Sequence, residues 1–128
     1  MKNKLIAAIL MFGLVCLSSV VFGQDEGKIK ASSFLATAAQ VYYDTGDNEM
    51  AIWGCEEAIK TRPEDGTAHY YLALAYERSG QKEKAISSLD SYLNHVSNTS
   101  VWLEKADKEY IAKCKELLSR LRAVTEKK

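Results

Sequence analysis

Shifting this 128-residue chain against itself by 34 positions superposes residues of structurally demanding types. Ala39 falls on Ala73, Tyr42 on Tyr76, Gly46 on Gly80, Glu49 on Glu83, Ala51 on Ala85 and Ile52 on Ile86. Apolar character also coincides at Ala38 and Leu72, Val41 and Ala75, Cys55 and Leu89, Ala58 and Tyr92, and Ile59 and Leu93. A period of this length confines the chain to stacked copies of one small unit. Each unit alone is too small to bury its apolar stripe, so neighbours must share a core.

Within each unit the apolar spacing is helical. In the second, Leu72, Ala73 and Tyr76 make one face, and Ala85, Leu89 and Tyr92 or Leu93 make another. Gly80 separates the two helices, since glycine takes the left-handed cap without a Cβ penalty. Asp47 is a suitable N-cap for the corresponding helix of the first unit, and Pro63 cannot continue that helix. The pattern predicts helices over 30–44, 48–61, 67–79 and 82–95. The richness in alanine indicates closely approaching helices.

The last segment departs from the period. Tyr110 matches Tyr76 one period on, but Cys114 stands where a third glycine would fall. Leu103, Ala106, Tyr110, Cys114, Leu117, Leu121 and Val124 describe one amphipathic helix from about Ser100 to Val124, capped by Thr99 or Ser100. Asn98-Thr99-Ser100 fits a glycosylation acceptor, but a helix-start cluster explains it better.

A helix–turn–helix repeat with small residues at the crossing and aromatics beside them resembles the tetratricopeptide repeat (TPR). The first unit supplies Leu35, Ala38, Ala39, Tyr42, Gly46, Ala51, Cys55, Ala58 and Pro63. The second supplies Leu72, Ala73, Tyr76, Gly80, Ala85 and Leu89. Departures are His69 for a large apolar residue, Tyr92 for a small one and Ser97 for the proline. The resemblance covers about residues 32–99. It implies an all-α, right-handed α-solenoid of two TPR-like hairpins, at 32–65 and 66–99. A long C-terminal capping helix at 100–125 and a frayed tail at 126–128 complete the expected fold.

Residues 1–23 carry lysines at 2 and 4, then an uncharged run to Gly23, with Val21 and Gly23 placed as small-residue cleavage rules ask. We expect a secretory signal, a linker at 24–31, and export to the periplasm of a Gram-negative bacterium. The run is short for a span of roughly 20 apolar residues; an uncleaved membrane anchor is the alternative. Gly13-Leu14-Val15-Cys16 is a poor lipoprotein signal, since the apolar run continues past Cys16. Removing the two signal lysines leaves 15 basic against 17 acidic residues, so no basic excess supports nucleic-acid binding.

Function is expected on the helix faces turned away from the core. In TPR proteins the inner, concave surface holds partner segments. The resemblance places Ser33, Ala36, Gln40, Tyr43 and Asp44 there from the first unit, and Thr67, Tyr70, Leu74, Glu77 and Arg78 from the second. Glu104, Lys108 and Ile111 follow on the last helix. Gln40, Tyr43, Tyr70, Leu74, Glu77, Arg78 and Lys108 are the partner-binding candidates. The Lys and Asn clamp that some TPR proteins use for acidic chaperone tails is absent, with Ala36, Gln40, Tyr70 and Tyr71 in its place.

No catalytic set, cofactor or metal is expected. His69 and His95 have no ligand-spaced partners, and His69 is expected to pack half-buried. Cys55 and Cys114 lie in apolar helical patterns and are expected to be buried free thiols. Trp53 and Trp102 are expected at partly buried edges; exposed, they would favour a binding or dimer surface. The chain is thus expected to be a non-enzymatic interaction module in the cell envelope. The rival is a structural subunit that pairs with its own copy through Leu117, Leu121 and Val124.

Overall fold

The computed structural model describes residues 26–99 and 103–127. It divides into a unit Met1–Lys30, of which only 26–30 are described, and a unit Ala31–Lys128. The expected signal, its anchor alternative, Ser100 and Trp102 lie outside the described residues. No described helix is long and apolar enough to cross a membrane.

Five helices follow one another among the described residues: α1 at 26–44, α2 at Asn48–Thr61, α3 at Gly66–Arg78, α4 at Lys82–Asn98 and α5 at Lys105–Glu126. The fold is an all-α, TPR-like solenoid. α2 packs on α3, α3 on α4, and α5 covers both α3 and α4.

The two hairpin turns repeat atom for atom. Gly46 and Gly80 have φ of 92° and 81°, the left-handed conformation that a side chain would strain. In the first turn the Asp47 N–H donates to the Tyr42 carbonyl at 2.9 Å; in the second the Gln81 N–H donates to the Tyr76 carbonyl at 2.8 Å. Both close the helix end in the manner of a Schellman cap. The Asp47 carboxylate then caps α2 by accepting from the Met50 N–H at 3.0 Å.

Alanine fills the crossings. Ala36, Ala58 and Ala68 form one fully buried cluster; Ala39, Cys55 and Leu72 form a second. Such small side chains let the helix axes approach closely, at the expense of apolar area. The larger core lies at the other end, where Leu89, Tyr92, Cys114, Leu117, Leu118 and Leu121 pack around Ala73 and Ala85.

Several expectations need correction. Ala36, assigned to the partner face, is 1% exposed and belongs to the core. Val41, matched to buried Ala75, is 56% exposed, because no described helix lies outside it as α1 lies outside α3. Helical backbone is already present at residue 26, within the expected linker. α4 continues to Asn98, where Thr99 turns extended at φ −118° and ψ 135°. α5 therefore begins at Lys105 and not at Ser100. Its cap is Glu104, whose side chain and that of Asp107 each bond the other's backbone. Ala106 and Val124 are exposed, while Asp107 and Leu118 take places on the buried stripe. Leu117 and Leu121 are 4% and 2% exposed, already used inside the chain. Of the three residues expected to pair α5 with its copy, only Val124 is exposed.

Asp107 is 1% exposed and fastens three elements. Arg62, at the end of α2, donates to both its oxygens at 2.8 Å. The Gly66 N–H, at the start of α3, donates to Oδ1 at 3.0 Å, and the Glu104 N–H donates to Oδ2 at 2.9 Å. Gly66 is required by close approach: a Cβ there would lie 2.9 Å from the Tyr110 Cβ and 3.0 Å from the Asp107 carbonyl. Beside this pair, buried Asp65 caps α3 through the Ala68 N–H at 3.0 Å and accepts from the Ser32 hydroxyl of α1.

Candidate functional site

The odd-numbered helices α1, α3 and α5 together carry a row of four tyrosines. Tyr43 of α1 meets Tyr71 of α3 edge-on at 5.7 Å between centroids. Tyr71 meets Tyr70 at 5.3 Å, and Tyr70 meets Tyr110 of α5 at 5.4 Å. Tyr70 and Tyr71 are neighbours on α3 and straddle it. Tyr70 leans on the core built by α4 and α5, and Tyr71 on the cluster of Ala39, Cys55 and Leu72. All four are half-buried, so each keeps part of its side chain open to solvent. Burial raises the hydroxyl pKa of Tyr70 and Tyr71, so both stay neutral hydrogen-bonding groups at ordinary pH.

Cations frame the row. The Arg78 guanidinium lies 3.7 Å from the Tyr43 ring centroid, and the Lys113 ammonium lies 4.3 Å from that of Tyr110. Arg78 also donates to the Asn48 side chain at 2.6 Å and to the Tyr43 carbonyl at 2.5 Å. It thereby ties the end of α3 to the α1–α2 turn. Arg120 of α5 holds Glu77 of α3 through two bonds of 2.6 and 2.8 Å. The rings and their braces thus form a surface with little rotamer freedom left to lose on binding.

Of the expected candidates, the fold brings Tyr43, Tyr70, Glu77 and Arg78 into this row. Gln40 is half-buried on α1 and Lys108 is exposed on α5. Leu74 is drawn partly into the main core, and Ile111 with it. Tyr71, Tyr110, Lys113 and Arg120 belong to the surface and were not among the candidates. The only signal for Tyr110 was its match to Tyr76, which suggested a crossing residue instead.

A separate cleft of about 500 Å³ opens between α2 and α4, lined by Ile59, Pro63, His69, Leu72, Tyr92 and His95 among others. His69 packs in its wall, with its ring stacked on Tyr92 at 3.9 Å and 11° and its Nε2 bonded to the Pro63 carbonyl at 2.8 Å. Its Nδ1 is buried without a partner among the described residues. Burial pushes the imidazole pKa down to about 4, with the Pro63 carbonyl opposing. The folded chain therefore keeps His69 neutral while the unfolded chain protonates it near pH 6.5. Stability from this group is complete above 6.5 and is lost as pH falls towards 4, by about 3 kcal/mol in all. Denaturant titrations from pH 7.5 to 4 should show that loss, and His69→Phe should remove most of it. An equal acid sensitivity in the variant would place the cause elsewhere.

Cys55 and Cys114 are free and fully buried, and burial pushes both thiols up to about 12. Neither is a nucleophile at neutral pH.

The fold and surface define a small helical-repeat domain with a rigid aromatic face. Residues 55–87 match the family model of the tetratricopeptide repeat. That is about one period, in a frame that starts in α2, spans α3 and ends in α4. The chain is also similar to a TPR repeat-containing protein, MJ1428, of Methanocaldococcus jannaschii. The two are 31% identical over 74 residues, which is 55% of this chain and 13% of that protein. The chain thus spans a small part of the relative's length. No solved structure matches it. Tetratricopeptide repeats generally mediate protein–protein interaction.

Proposed function

We propose that this protein is a non-enzymatic adaptor, exported to the bacterial periplasm, which holds a partner protein segment against the tyrosine row of α1, α3 and α5. The row itself carries the reading. Four half-exposed tyrosines packed edge to edge across three helices offer aromatic contact at low entropic cost. The flanking Arg78 and Lys113 supply donors for a partner's carbonyls or carboxylates. The lysine-flanked apolar run at residues 1–23 supports export.

Site-specific photocrosslinking in native envelopes tests this. A photoreactive side chain at Tyr70 or Tyr110 should give a discrete adduct, and one at Ser87 on α4 should not. Tyr71→Ala should reduce the adduct at least about tenfold, which corresponds to 1.4 kcal/mol, the scale of an aromatic anchor. Equal adducts from both faces, or none from the row, would remove the proposal.

A further inference from the structure

Helix α1 carries no charged residue from Ala31 to Tyr43, in a chain that is 27% charged. One flank accounts for this. The helix turns Ala39 onto α2, where a Cβ added to Gly54 would lie 3.0 Å from the Ala39 Cβ. Ala36 and Tyr43 lie on the α3 side of that contact. At 100° per residue, Phe34, Ala38, Val41 and Tyr42 lie on the opposite side. Their exposures agree: Phe34 is 74% exposed, Val41 56% and Tyr42 37%, and Trp53 of α2 is 52% exposed.

The stripe is self-complementary. Phe34, Leu35, Ala38, Val41 and Tyr42 read aromatic, aliphatic, small, aliphatic, aromatic, symmetrically about Ala38. All five lie within about 60° of Ala38 around the helix. We propose that α1 is a dimerisation helix, pairing antiparallel with α1 of a second copy across a two-fold axis at Ala38. Phe34 then faces Tyr42 of the second copy, Leu35 faces Val41, and the two Ala38 side chains permit close approach at the axis. Before the uncharged stretch stand Lys28 and an internal Lys30–Glu26 ion pair, and Asp44 closes the helix after it. Reversing one copy therefore sets the net positive start of each α1 against Asp44 of the other.

A second copy fits this face better than a head-to-tail stack. The opposite end of the solenoid is closed by α5, which exposes Lys105, Lys108, Glu109, Lys115, Glu116 and Arg122. Stacking the apolar flank on that helix would bury charges, so only the isologous arrangement joins like with like. Phe34, Val41 and Tyr42 still present on the order of 300 Å² per copy. That is over a third of one partner's share in a standard interface, about 800 Å², with Leu35 and Ala38 extending it. The tyrosine row lies on the other flank of α1 and stays open, so this pairing does not depend on partner binding there.

Sedimentation and crosslinking test the pairing on the whole chain with Cys16→Ser. The chain should show a concentration-dependent monomer–dimer equilibrium between about 1 μM and 1 mM. Phe34→Lys with Val41→Lys should raise the dimer Kd at least about 100-fold at unchanged helicity, and Val124→Lys should leave it unchanged. Ala38→Cys, oxidised with copper phenanthroline, should give a disulfide dimer, as Cα atoms within about 7 Å at the axis allow. Phe34→Cys mixed with Tyr42→Cys should crosslink at least about tenfold more than either alone. The buried Cys55 and Cys114 should not compete. A monomer at every concentration would overturn the proposal and leave the face to another segment or another protein. A dimer indifferent to the lysine substitutions would overturn it equally.

Discussion

Asp107→Ala should lower the unfolding free energy by about 3–5 kcal/mol, because it leaves the Arg62 guanidinium part-buried with no matching carboxylate. The side chain of Arg62 is only 12% exposed, and the second acid near it, Asp65, is 3.9 Å away and occupied with capping α3. The same change also orphans the Gly66 and Glu104 N–H groups. A small domain has only about 5–15 kcal/mol to lose. Urea titration of the variant should therefore show a much earlier midpoint. Replacing both partners, with Arg62→Met and Asp107→Leu, should recover part of the loss, since it removes the uncompensated charge but not the orphaned backbone groups. A single-variant loss below about 1 kcal/mol would mean that water reaches Arg62 and the pair is effectively superficial.

Ending the chain after Ser97 should abolish cooperative folding altogether. That truncation removes α5, and with it Cys114, Leu117, Leu118 and Leu121 from the larger core cluster. Three buried leucines stabilise by about 1.5–3 kcal/mol each, which already approaches the whole stability of a domain this size. What remains is held mainly by alanine contacts, which bury little area. The fragment should melt without a transition, bind hydrophobic dyes and aggregate. A cooperative thermal transition equal to that of the whole chain would show that two hairpins suffice and that α5 is merely an addition.

Much of the architecture was legible in the sequence because it depends on residues with few alternatives. Glycine at 46 and 80 must mark equivalent turns when both sit one period apart, and both do adopt positive φ. Alanine at 39, 51, 73 and 85 reports close crossings, since nothing larger fits there, and all four are fully buried. Asp107 was not legible. A charged residue on a helix is ordinarily solvated, and its burial depends on Arg62, which lies 45 positions earlier with no periodic relation to it. The start of α5 failed for the same reason. The cap is an acid pair, Glu104 with Asp107, and Thr99 and Ser100 were chemically more typical caps. On the surface, Tyr43 and Tyr70 could be found from helical spacing taken together with the family resemblance. Tyr71 and Tyr110 could not, because their exposure depends on how far apart α1, α3 and α5 settle. The exposed flank of α1 was hidden by the period itself: matching Val41 to Ala75 assumed that both had neighbours outside them, and among the described residues only α3 does.

The position of Asp107 in the chain also sets an order of events. A nascent chain emerges with Arg62 and Gly66 long before the carboxylate that completes them. Until residue 107 and the leucines after it have been made, α3 has no settled start and the larger core has no cover. The earlier hairpins cannot lock before α5 has been made. A domain fastened by a helix so far along its sequence stays pliable until that helix has been made, and then becomes rigid all at once.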